Sequence, residues 1–205
     1  MTALKLSNLT KSFGEKTLFS NLSAELPAHG LYLLLGDSGT GKTTLLRMIA
    51  GLDRDYSGVI EGGGTESISF AFQEHRLLPA LSALRNVSEP LRAAGMPKDE
   101  AVTVARDALL SVGLAEGDLA LRPAALSGGM RQRVSLARAF AVKRPILLLD
   151  EPEKELDETL RARLSALIAN EAKHRLVIVV THTPERLTAL SDGVITIRSK
   201  KTITP

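Results

Sequence analysis

Short runs of Leu, Ile and Val, each closed by a glycine or a polar residue, alternate with longer stretches whose apolar positions recur every three or four residues. The first pattern suits buried strands and the second suits amphipathic helices. Their alternation predicts an α/β fold with a mostly parallel core sheet. Leu31–Leu35 reads as an apolar strand ending at Gly36, and Lys42–Ala50 as a helix stopped by Gly51. Val59–Glu61 and Ser67–Phe72 read as strands around the turn Gly62-Gly63-Gly64. Ile146–Leu149 and Leu176–Val180 read as two further buried strands, and Val194–Ile197 as the last.

The stretch from about Ser82 to Val142 differs. Ser82–Ala94, Lys98–Val112 and Met130–Val142 each carry apolar residues at helical spacing, divided by Gly95, Pro97, Gly113 and Pro123. It reads as a helical subdomain inserted between strands of the core. The 205 residues suit one domain, and no repeat or long linker divides them. With aromatics at 3% and no Trp, the core must rest on Leu, Ile, Val and Ala. The lack of Cys excludes a disulfide framework and any thiolate metal site. No signal peptide is read at Met1–Lys5, and no apolar run approaches the roughly 20 residues that span a bilayer. A soluble protein is therefore expected. A formal charge of +3, with acids interleaved among the bases, gives no reason to expect nucleic acid. The cluster Arg198-Ser199-Lys200-Lys201 reads as a solvated tail.

Chemistry enters at Gly36-Asp37-Ser38-Gly39-Thr40-Gly41-Lys42-Thr43-Thr44, which matches the phosphate-loop pattern G-x-x-x-x-G-K-[ST] between an apolar strand and a helix. Glycines let successive backbone N–H groups point at phosphate oxygens, and the helix N-terminus faces the same anion. Lys42 supplies a compact charge to the β- and γ-phosphates, and the Thr43 hydroxyl is a ligand for Mg²⁺. The segment is expected to bind Mg²⁺–ATP.

Ile146-Leu147-Leu148-Leu149-Asp150-Glu151 ends in two acids. If Asp150 stands at a strand tip beside the phosphate-loop strand, it can hold Mg²⁺ through water while Glu151 orients or deprotonates the attacking water. Taken alone, the run is equally an acidic strand-to-loop junction. Ser127-Gly128-Gly129 opens a helix, and a hydroxyl with bare N–H groups there forms a second anion site or an ordinary helix cap.

The run Leu126-Ser127-Gly128-Gly129-Met130-Arg131-Gln132-Arg133, shortly before a strand ending Asp150-Glu151-Pro152, resembles the signature of ABC-type ATPases. The resemblance covers essentially the whole chain. It implies a P-loop NTPase of ABC type, with a RecA-like core, an antiparallel β subdomain and a helical subdomain at about 82–142. By the same resemblance Gln73 matches the Q-loop glutamine that touches Mg²⁺, Asp157 the D-loop aspartate, and His182 the switch histidine that contacts the γ-phosphate. Phe13 matches the aromatic that stacks on adenine. The family further implies a head-to-tail dimer in which Ser127–Gly129 meet the γ-phosphate of ATP held by a second ATPase domain.

Phe72-Gln73-Glu74-His75-Arg76-Leu77-Leu78-Pro79 looks like importer ATPases of the nitrate, sulfonate and taurine group. That likeness implies an ATP-hydrolysing subunit on the cytoplasmic face of the membrane, with permease subunits and a solute-binding protein as partners. Leu77, Leu78 and Pro79 are the candidates for permease contact. An exporter ATPase of haem or drug type and a soluble non-transport ABC ATPase are the alternatives. Two features depart from the family pattern. Glu153-Lys154-Glu155-Leu156-Asp157 puts three charges where small residues usually form the dimer seam, and the regulatory domain of some importer ATPases is not expected after the last strand.

Overall fold

The computed structural model describes residues 2–197; the basic cluster Arg198-Ser199-Lys200-Lys201 lies outside the described residues. Of these, residues 2–68, 144–150 and 168–197 form one compact unit, and residues 69–143 and 151–167 form a second.

The first unit opens with β1 (Thr2–Phe13) and β2 (Lys16–Pro27), followed by β3 (Gly30–Leu35), α1 (Lys42–Ile49) and β4 (Ser57–Glu61). β1 pairs antiparallel with both β2 and β4, giving a three-stranded sheet in the order β2-β1-β4. Leu4, Leu6 and Leu9 of β1 are buried while Asn8 turns left-handed at φ 52°, within an interrupted register. That irregular period conceals β1 and β2 from an apolar-run reading.

β5 (Ile68–Ala71) straddles the division between units, and β6 (Ile146–Asp150), β7 (Leu176–Val180) and β8 (Gly193–Thr196) complete a second sheet, ordered β5-β6-β7-β3-β8. The pairs β6–β7, β7–β3 and β3–β8 are parallel. Every residue of β6 and β7 is buried, which is why each is a continuous apolar run rather than an alternating one. One expectation is corrected by this order. The strand bearing Asp150 does not lie beside the phosphate-loop strand, because β7 stands between β6 and β3. A run of buried residues reports depth in the sheet but carries no signal for lateral order.

The second unit holds α2 (Ala83–Ala93), α3 (Lys98–Ser111) and α4 (Gly128–Ala141), all packed on one another. The stretch 82–142 falls inside it. α5 (Glu158–Ala172) begins there and was not foreseen in the sequence. A short α6 (Glu185–Thr188) follows β7. Ser82 caps α2 by accepting from the N–H of Arg85 at 3.2 Å, so the predicted start at Ser82 moves by one residue.

Candidate nucleotide site

β6, β7 and β3 run parallel as neighbours, so their C-terminal ends lie on one edge of the sheet. The phosphate loop leaves β3, Asp150 ends β6, and His182 follows β7. This is the edge where open α/β sheets place their ligands.

In the loop, Gly39 and Gly41 have φ of 77° and 96°, values that L side chains seldom adopt. Gly41 is also the N-cap of α1, and no side chain caps that helix. The N–H groups of its first turn therefore need an acceptor from elsewhere, and there is no acid in the first turn to compete for them. A Cβ on Gly41 would stand 2.9 Å from Leu18 Cδ1, and one on Gly36 would stand 2.5 Å from the carbonyl oxygen of Ile197. Thr40 braces the loop by donating from Oγ1 to the Asp37 carbonyl at 2.9 Å.

Lys42 is buried and donates from Nζ to the carbonyls of Gly36 at 2.7 Å and Asp37 at 3.0 Å. These bonds hold the ammonium over the loop that should cradle phosphate. Thr43 and Thr44 are half-buried, whereas Asp37, Ser38 and Gly39 are exposed on the loop. Asp150 is fully buried at the end of β6. Among the described residues no three His, Asp or Glu side chains cluster as a metal site. A cation here would draw on a hydroxyl, one carboxylate and the ligand's own phosphates, the habit of Mg²⁺ rather than of a caged metal. The donor set fits Mg²⁺–nucleotide. His182 is exposed, and so is Phe13, at 55%; Phe13 is not a core residue.

The second unit carries the remaining candidates. Glu151 has φ 52°, a left-handed backbone that is uncommon for Glu and marks a position fixed by its surroundings. Gln132 contributes to that fixing, with Nε2 at 3.0 Å from the Pro152 carbonyl and 3.5 Å from that of Glu151. Gln73 donates from Nε2 to Glu151 Oε2 at 3.2 Å, so the structure brings these two candidates into direct contact.

Ser127 is the N-cap of α4 and accepts from the N–H of Met130 at 3.2 Å. Gly128 and Gly129 begin the helix directly beneath Glu155. A Cβ on Gly128 would overlap the Glu155 carboxylate, and one on Gly129 would come within 2.8 Å of the Glu155 carbonyl oxygen. Glu155 itself is left-handed at φ 62°. Of the three unexpected charges in this loop, Glu153 is buried and Lys154 and Glu155 are exposed. Asp157 accepts from the N–H of Leu160 at 2.9 Å, capping the start of α5.

Sequence reasoning missed Asn86. This buried side chain binds the loop before α2 through the Leu78 N–H and the carbonyls of Leu78, Leu81 and Ser82. Arg138 likewise holds the backbone of His75 and Arg76 with two hydrogen bonds of 2.9 Å. A polar residue on the apolar face of a predicted helix was the available signal. Leu78 is left 54% exposed on the loop they secure, with Leu77 half-buried and Pro79 exposed.

Residues 19–154 match the family model described as ABC transporter. The chain belongs to the ABC transporter family. Among its relatives is the Fe(3+) ions import ATP-binding protein FbpC of Brucella abortus (strain 2308), 40% identical over 97% of this chain and 60% of that protein. The aliphatic sulfonates import ATP-binding protein SsuB 2 of Rhodococcus jostii (strain RHA1) is 41% identical over 94% of this chain and 78% of that protein. The chain thus spans about 60% of the length of the iron-import relatives it matches. Among solved structures, the dimeric bacterial ABC transporter cassette MJ0796 superimposes with a TM-score of 0.86 at 30% identity, covering 96% of this chain and 94% of that one. A post-hydrolysis state of MJ0796 bound to ADP and Pi gives the same TM-score over 97% of both chains. The ABC-type α/β fold is established by this match, with its parallel sheet, antiparallel sheet and helices. Among the described residues no helix is long and apolar enough to cross a membrane.

Proposed function

We propose that the chain acts as a single ABC ATPase domain, which binds Mg²⁺–ATP and hydrolyses it in a closed dimer to power solute import through a membrane permease. The observation that carries the hydrolytic reading is the Gln73–Glu151 hydrogen bond, which gives the candidate base a defined orientation.

The roles divide as follows. The N–H groups of Gly36–Thr44 and the Lys42 ammonium hold the triphosphate, and Phe13 offers its ring to adenine. Thr43 and Asp150 hold Mg²⁺, with Gln73 contributing from the Q-loop. When bound, the cation neutralises charge on the transferring phosphate. Glu151 takes the proton of the attacking water, and His182 meets the γ-phosphate. Ser127, Gly128, Gly129 and Asp157 serve the nucleotide held by a second copy. The dimeric state of MJ0796 and its complex with ADP and Pi support this division.

Import is the direction supported by the printed functions of FbpC and SsuB 2, one for Fe(3+) ions and one for aliphatic sulfonates. The chain would sit peripherally on the cytoplasmic face of the membrane. Leu77, Leu78 and Pro79 would contact a permease subunit, and a solute-binding protein would deliver the solute.

Glu151→Gln tests the proposal. The amide keeps the hydrogen-bonding shape but cannot take a proton. ATP binding should persist, turnover should fall by at least about 100-fold, and light scattering should show an ATP-dependent dimer. Turnover within about twofold of wild type would remove Glu151 from its role. Specific activity that does not fall on dilution of the wild-type protein, with no dimer formed, would overturn the shared site.

A further inference from the structure

Lys11 is a buried lysine to which the proposed reaction gives no role. Its side chain is only 1% exposed, and its ammonium lies 3.1 Å from Asp53 Oδ1 and 3.4 Å from Asp55 Oδ2. It also donates to the Asp55 carbonyl. Burial alone would disfavour the charge, but the two carboxylates outweigh it and hold the pKa of Lys11 above the ordinary lysine value. The group is a permanent cation at neutral pH.

This cation lies over an aromatic ring. Lys11 Nζ is 4.7 Å from the centroid of Phe13, within cation–π range. Two residues apart on β1, the side chains share a side of the strand. One face of the ring meets the ammonium, yet more than half of Phe13 remains open to solvent. The acceptors of Lys11 lie in the segment just after α1, the helix that begins at the phosphate loop. A chain of contacts therefore runs from the loop through α1 and the Asp53–Asp55 segment to the ammonium and the ring. The hairpin bearing Phe13 also touches the loop directly, since Leu18 and Phe19 of β2 line the space beside Gly41.

We infer that Lys11 is a positioning residue for base recognition: its ammonium, anchored by Asp53 and Asp55, fixes the Phe13 ring from one face so that the other presents a flat, preorganised platform to a purine. This inference rests on the reading of Phe13 as the adenine platform. Without the cation, an exposed ring on a hairpin end must be ordered when base binds, and the cost falls on base affinity alone. Phosphate affinity belongs to the loop and should not change.

The full chain is titrated calorimetrically with Mg²⁺–ATP and with Mg²⁺–tripolyphosphate, which has the phosphates but no base. Lys11→Met should weaken ATP by about fivefold to tenfold and leave tripolyphosphate within about twofold. Lys11→Arg keeps the charge and should restore most of the ATP preference. Lys11→Gln, which retains hydrogen bonds to the Asp53 segment but no charge, gives the same reading if Lys11→Met does not fold. Equal losses for both ligands would make Lys11 a scaffold for the whole unit and overturn the inference. Phe13→Leu separates the two claims. If it weakens ATP and the Lys11 variants do not, the positioning role fails while the platform stands. If Phe13→Leu binds ATP as wild type does, the platform reading fails and the inference falls with it.

Discussion

Removing the Asn86 side chain should loosen the candidate permease loop at a measurable cost in stability. Oδ1 accepts from the Leu78 N–H at 2.7 Å, and Nδ2 lies 3.2, 3.1 and 3.0 Å from the carbonyls of Leu78, Leu81 and Ser82. An amide nitrogen has two hydrogens, so two of those three acceptors are well served at once, making three effective bonds in all. At a net value of about 1 kcal/mol each, Asn86→Ala should cost about 3 kcal/mol. Leu78 is exposed, so water can replace part of its loss, and about 2 kcal/mol is the lower bound. For a chain of this size that is a fall in melting midpoint of about 5–10 °C. Asn86→Asp keeps the acceptor, loses both donors and turns a charge toward three carbonyls, so it should be at least as destabilising. Thermal unfolding gives the magnitude, and hydrogen exchange at the Leu78 and Leu81 amides gives the location. A midpoint within about 1 °C of wild type, or loss of protection spread evenly over the second unit, would refute the account.

Two further outcomes are expected. Burial, helped by Arg131 and Lys154 and opposed by Glu155, holds the pKa of His75 below its ordinary value. Between the folded and unfolded pKa values the unfolded chain binds the extra proton, so the His75 contribution to stability is present above pH 6.5 and lost as pH falls below it. His75→Gln should flatten that fall in a series of melts, and an unchanged slope would count against burial as the cause. Leu78→Glu should abolish permease-stimulated turnover in reconstituted vesicles while the isolated chain keeps its ATPase rate. Normal coupling would remove Leu78 from the docking surface.

The motif residues and the buried strands were readable because each depends on local chemistry. Glycines at the phosphate loop and at Ser127–Gly129 are required by backbone conformation or close approach, and continuous apolar runs are required by burial on both faces of a sheet. What was not readable depends on pairing at a distance. The place of β7 between β6 and β3 is set by crossover connections and leaves no trace in β6 itself. Asn86 appears in sequence as one polar residue in a helix, and only the folded loop opposite reveals four partner atoms. Lys11 carries no local signal of its partners, because Asp53 and Asp55 lie more than 40 residues away. The start of α5 does have a local signal, since Asp157 accepts from the N–H of Leu160 three residues on, as a helix cap does.

The approach of Glu155 to the signature helix has a consequence for how this chain can change over generations. Gly128 is confined by the tip of the Glu155 side chain, whereas Gly129 is confined by the Glu155 backbone. The two glycines thus have different mutational histories open to them. A shorter residue at 155 would make alanine at 128 tolerable, so the cost of one substitution depends on whether the other came first. No exchange of side chain at 155 can relieve position 129, because the obstructing carbonyl belongs to every residue type. Variation at 128 should follow residue 155 among near relatives, and 129 should remain glycine whatever residue 155 becomes.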